Sequence, residues 1–179
     1  MGFRPRAELA LKRAREEANR IDQLWAVRVG RAQMLNAAER EEIYEARDSF
    51  RLYADSAVLF SALAIESVLN LYGVVRLGEK FYQAHYERLG LVAKFSALVA
   101  TCLGQLVEKD DEHLKVLSRV STLRNALAHP KAREIKTSLD LAPSPTRLDH
   151  AVESVALMTQ FLKMFNELDP NAAWIASSA

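Results

Sequence analysis

The stretch Leu123-Arg124-Asn125-Ala126-Leu127-Ala128-His129-Pro130 gathers three chemically able side chains. Arg124 carries a planar fork of donors that matches phosphate oxygens and stays charged at any ordinary pH. His129 has an unperturbed pKa of ~6.5, so its imidazole both takes and gives protons near neutrality. Asn125 offers an amide that orients either group. Asn125 and His129 are four residues apart, so a continuing helix would stack them one turn apart. Pro130 biases His129 away from helical backbone and so places its ring at a helix C-terminus. There the helix dipole favours the protonated imidazole. A fixed cation, an amide and a proton-transfer group at one helix end are the parts for metal-independent cleavage of RNA by its own 2′ oxygen. DNA lacks that hydroxyl and would be spared. The same residues have a second reading, a C-cap in which Arg and His serve the last carbonyls and proline stops the helix.

The elements that must carry this trio read as helices. No proline occurs between Pro5 and Pro130, and Ala, Leu, Glu, Arg and Lys dominate. The spacing predicts an all-α bundle of about five to six helices, running up and down with short loops, in a single domain over 1–179. A first helix over about 5–29 carries an apolar stripe of Leu9, Leu11, Ala14, Ala18, Ile21, Leu24 and Trp25. Residues 1–31 hold eight Lys/Arg against four Asp/Glu, so this helix has a basic face. That face reads as a solvated surface or as a nucleic-acid patch.

A second helix starts after Asn36, a good N-cap followed by Glu39, Glu41 and Glu42 at the positive end of the dipole. Its core positions run from Ile43 to Val75, with Gly73 and Gly78 marking its end. From Ser56 to Val75 it is apolar nearly all round and is expected to be the central buried helix. Shorter helices follow over about 79–89 and 91–103, then the motif helix over about 110–128. A polar loop leads to a last helix over about 147–168, and the tail after Pro170 reads as loose, with docking of Trp174 and Ile175 as the alternative.

The exclusions are broad. Lys+Arg is 24 and Asp+Glu 23, which argues against a protein that grips nucleic acid over its whole surface. One short basic site remains compatible. Cys102 is the single cysteine and reads as a buried, inert thiol, so no intrachain disulfide and no Cys-based zinc cage are expected. No phosphate loop, nucleophile elbow or zinc-protease motif occurs. His85-Tyr86-Glu87 fits H-x-E but lacks the C-x-x-C of a zinc deaminase. Glu108, Asp110, Asp111, Glu112 and His113 are a metal-like cluster that an acidic helix start explains as well. No cofactor and no metal is expected. No apolar run approaches the ~18 residues that span a bilayer, and no secretory leader is read, so a cytoplasmic protein without a membrane partner is expected.

The stretch LRNALAHPK resembles the R-x4–6-H signature of the HEPN superfamily, in which a polar residue, often Asn, follows the Arg. The earlier helix with ALAIESVLN resembles the family's core helix that holds an acidic residue near the site, here Glu66. The Gly-bounded helix between Gly90 and Gly104 and the charged start of the motif helix are similar too. The resemblance covers roughly residues 45–168 and leaves out the basic N-terminal helix. It implies a homodimer whose two Arg/His motifs face one cleft, and an endoribonuclease in a toxin–antitoxin, abortive-infection or CRISPR-linked setting. On that reading Arg124, Asn125 and His129 are catalytic and RNA is the substrate. Glu66 and Asn70 support them, while Lys131 and Arg133, just after the motif, read either as ordinary surface charge or as contacts to RNA backbone. Other members are inactive and serve as binding modules, so a partner protein such as an antitoxin is also compatible. Glu66 itself reads in two ways: as a partner that orients Arg124 or His129, or as part of a solvated polar edge with Ser67 and Asn70.

Overall fold

The computed structural model describes residues 2–29, 36–128 and 145–176, and the regular structure among them is all helical. The elements are α1 (Phe3–Val29), α2 (Ala37–Leu77), α3 (Glu79–His85), α4 (Leu91–Leu103), α5 (Glu112–Ala128) and α6 (Pro145–Leu168). A single 3-10 turn, Pro170–Ala172, and the short α7 (Ala173–Ala176) follow. The chain is an all-α helical bundle, as its composition and spacing predict.

The bundle is organised by α2, whose 41 residues span roughly 60 Å. Its start is fixed by a reciprocal capping box. Asn36 Oδ1 accepts from Glu39 N–H, and Glu39 Oε2 accepts from Asn36 N–H, both at 2.9 Å. A helix this long serves two cores. The first half packs against antiparallel α1: the Phe3 ring stacks on Phe60 and Arg20 reaches Glu42. Ala10, Ala14 and Ala18 of α1 meet Ala46, Ala54 and Ala57 of α2 in one buried cluster. Such small side chains let two helix axes approach closely. The second half is surrounded by α3, α4, α5, α6 and α7 around Tyr72, Phe95, Phe161 and Phe165.

Several boundaries and faces differ from expectation. Gly73 lies inside α2 and is buried, and the helix ends at Gly78, whose φ of 81° suits glycine. The third helix stops at His85 rather than Leu89, because the chain turns at Tyr86, whose hydroxyl sits 2.7 Å from Thr101 Oγ1 on α4. The last helix opens at Pro145, a favoured first position, not at Arg147. Leu9 is exposed, because it points away from the Ala7–Ala14–Ile21 face. Val75 is exposed in the last turn of α2. The apolar half of α2 also passes as a membrane-crossing segment by length and composition, contrary to expectation, although half of that window is buried as in a core helix.

The tail is docked. Asp169 is buried just past α6 and accepts from the Tyr72 hydroxyl at 2.9 Å and from Arg76. Its second oxygen accepts from Asn171 N–H, which turns the chain so that Ile175 enters the core. Cys102 is half-buried near this cluster, and burial pushes its thiol up.

Candidate functional site

One face of α2 presents Leu52, Leu59, Leu63, Glu66, Asn70 and Gly73, which recur at three-, four- and seven-residue steps. The three leucines are exposed, Glu66 and Asn70 are half-buried, and Gly73 is buried. Charged and polar groups from three other helices converge on the Glu66 end of this face.

Arg124 comes from α5. Val116, Leu117, Val120 and Leu123 bury one side of that helix, which leaves Arg124 at the edge of the core. Arg124 Nη1 lies 3.8 Å from Glu66 Oε2, and its side chain stays 40% exposed. Its Nη2 lies 3.5 Å from Asn125 Oδ1, the outer limit of a hydrogen bond. Asn125 itself is exposed. Glu66 thus lies within ion-pair distance of Arg124 at the margin of the core, with its side chain 32% exposed.

Beneath this pair lies Lys94 of α4, a lysine with 0% exposure. A buried ammonium needs partners. Nζ donates to Asn70 Oδ1 at 2.7 Å and lies 3.7 Å from Glu66 Oε1. The same Asn70 oxygen accepts from the Tyr82 hydroxyl at 2.5 Å, and the Lys94 ammonium sits 5.9 Å from the centre of the Tyr82 ring. Burial pulls Lys94 below its ordinary pKa, and the Glu66 charge opposes that pull. Burial, with the charges of Glu87 and Glu66, pushes Tyr82 up to about 12, so it stays a neutral donor.

Gly73 makes room for this arrangement. A Cβ there would lie 2.3 Å from the Tyr82 ring. Only a bare backbone lets the ring lie against α2 with its hydroxyl over Asn70. The five residues thus link α2, α3, α4 and α5 in one chain: Arg124, Glu66, Lys94, Asn70, Tyr82. The charges of Glu66 and Glu87 offset the two cations, and the solvent end of the cluster is a guanidinium. That end can take an oxyanion such as a phosphate.

His129, Lys131 and Arg133 lie outside the described residues. Of the predicted site residues, Glu66, Asn70, Arg124 and Asn125 are brought together. Lys94 and Tyr82 escaped sequence reasoning. Lys94 had a legible signal: it is the one charge in the apolar α4 sequence LVAKFSALVATCL.

The acidic stretch before α5 is used locally. Asp111 Oδ1 accepts from His113 N–H and lies 2.8 Å from His113 Nδ1, and the imidazole stacks on Phe95. Among the described residues no group of three His, Cys, Asp or Glu converges as metal ligands. Comparison with protein-family models, curated proteins and solved structures finds no match to this chain.

Proposed function

We propose that this chain is a HEPN-type, metal-independent endoribonuclease that works as a homodimer in a toxin or defence setting. The observation that carries the reading is the Glu66–Arg124 pair: a guanidinium held at the solvent edge, one residue before Asn125 and five before His129. In the reaction, the 2′ oxygen of RNA attacks the adjacent phosphorus and the bond to the 5′ oxygen breaks. The products are a 2′,3′-cyclic phosphate and a free 5′ hydroxyl. His129 takes the 2′ proton or supplies one to the leaving oxygen. A second proton-transfer group, which a twin His129 across a shared cleft would supply, handles the other.

Arg124 stabilises the charge that builds on the phosphoryl oxygens in the transition state. Asn125 positions the scissile group, Glu66 supports Arg124, and Lys131 and Arg133 hold the RNA backbone. The exposed Leu59 and Leu63 support the dimer reading, because they lie on the same face of α2 as Glu66. Large exposed apolar side chains grouped beside a polar site are what a partner surface looks like. The test is incubation of purified protein with structured RNA in EDTA, where cutting should leave cyclic or 3′ phosphate ends.

A second reading is a HEPN interaction module that binds a partner protein, a nucleotide or RNA without turnover. The near-balance of 24 basic against 23 acidic residues favours it, since RNA grooves are usually strongly basic. An antitoxin or other partner encoded elsewhere fits either reading.

A further inference from the structure

Lys94 has no solvent exposure and sits on a helix that carries no other charge. A buried lysine is costly, and a Met or Leu would fill α4 more cheaply. Its contacts are all directed to one side. Nζ reaches Asn70 Oδ1 and Glu66 Oε1 and sits over the Tyr82 ring, and the charge of Glu87 also favours the ammonium.

Glu66 divides its two oxygens: Oε1 faces the buried lysine at 3.7 Å and Oε2 faces Arg124 at 3.8 Å. A glutamate side chain has three rotatable bonds, and a half-exposed one samples several rotamers. A cation fixed beneath it narrows that freedom by charge attraction to the inner oxygen and so biases the direction of the outer one. The fixing is stiff. Asn70 holds the ammonium, Tyr82 holds Asn70, and the Tyr82 ring is clamped on the bare backbone at Gly73.

We propose that Lys94 is a positioning residue that sets the orientation of the Arg124 guanidinium through Glu66. Lys94 does not touch substrate. It acts on the reaction by holding the carboxylate that holds the guanidinium, and this rests on the ribonuclease reading for its kinetic consequence only. The side-chain order of Arg124 is a property of the protein alone.

The experiment compares wild type with Lys94→Met, Glu66→Gln and the double variant, each checked for helical content. The first readout is the NMR relaxation of the Arg124 Nε–H group, assigned with Arg124→Ala. The expected result is a gain in Arg124 mobility in Lys94→Met that does not exceed that in Glu66→Gln, and a double variant equal to Glu66→Gln, because Lys94 acts only through Glu66. The second readout is RNA cleavage, where kcat should fall on the order of 10- to 100-fold with KM nearly constant. The double variant should be no worse than Glu66→Gln alone.

Unchanged Arg124 mobility in a folded Lys94→Met overturns the proposal. So does an additive double variant. Should Lys94→Met alone not fold, the double variant removes the buried ammonium together with its half-buried carboxylate partner and carries the test. Loss of fold in both, with Glu66→Gln intact, would mean that Lys94 serves the fold and would overturn the proposal. If wild type cuts no RNA, the ribonuclease reading fails, and the relaxation data decide the role of Lys94 by themselves.

Discussion

Tyr82 packs against Gly73 so closely that a Cβ on Gly73 would sit 2.3 Å from the ring. This contact places the Tyr82 hydroxyl on Asn70 and so closes the floor of the candidate site. Gly73→Ala must move a ring that is only 2% exposed. Overpacking of this kind costs about 1–3 kcal/mol, which urea denaturation monitored by circular dichroism measures. The variant should also weaken the hold on Lys94. Stability equal to wild type would show that Tyr82 has room to shift and that the floor is not rigid.

The docked tail predicts an acid-sensitive contribution to stability. Burial pushes the Asp169 carboxyl up, but hydrogen bonds from Arg76 and Tyr72 outweigh it and hold the group below the usual carboxylate value. The unfolded chain therefore binds the proton more readily. Stability from Asp169 is complete above the unfolded pKa of ~4 and drains away as pH falls through the lower folded value. Asp169→Asn should cost about 2–3 kcal/mol near neutrality. That deficit should shrink in urea titrations run from pH 6 down to pH 3. A deficit that stays constant with pH would assign the loss to shape rather than charge.

The exposed leucines test the assembly. Leu59→Glu and Leu63→Glu change positions that are 41% and 38% exposed, so the fold should tolerate them at a cost of about 1–2 kcal/mol each. In the dimer reading, light scattering should find wild type at twice the chain mass and the double Glu variant at the chain mass. RNA cleavage should fall with the loss of the dimer. A monomeric wild type, or an unaltered mass in the variant, would remove this face from the dimer account.

Much of the fold was legible because helices announce themselves by punctuation. Gly90 and Gly104 bracket α4 as expected, and Asn36 caps α2 with the acidic residue three positions on that a capping box requires. Gly73 was misread as a helix end, since one residue type serves both as a terminator and as a bare patch for a neighbouring ring. Only the position of Tyr82, set by the turn at Gly78, tells these apart. The early end of α3 at His85 depends on a tyrosine hydroxyl meeting α4, a contact between residues fifteen apart.

Part of the candidate site's geometry was legible. Arg124 and Glu66 came from a short pattern on two helices, but whether Glu66 paired or faced water depended on how α5 lies across α2. Lys94 was passed over because long charged side chains usually reach solvent. A single charge in an apolar helix between two glycines deserved the opposite expectation.

The central claim is that Arg124 and His129 together cut RNA without a metal. The direct measurement is cleavage of a structured, end-labelled RNA in EDTA by wild type, Arg124→Ala and His129→Ala, with the product ends identified. The account predicts cyclic or 3′ phosphate ends from wild type and a loss of at least about 100-fold in each variant, in line with removal of a proton-transfer or charge-stabilising group. An inert wild type, or a His129→Ala protein that cuts as well as wild type, would contradict it.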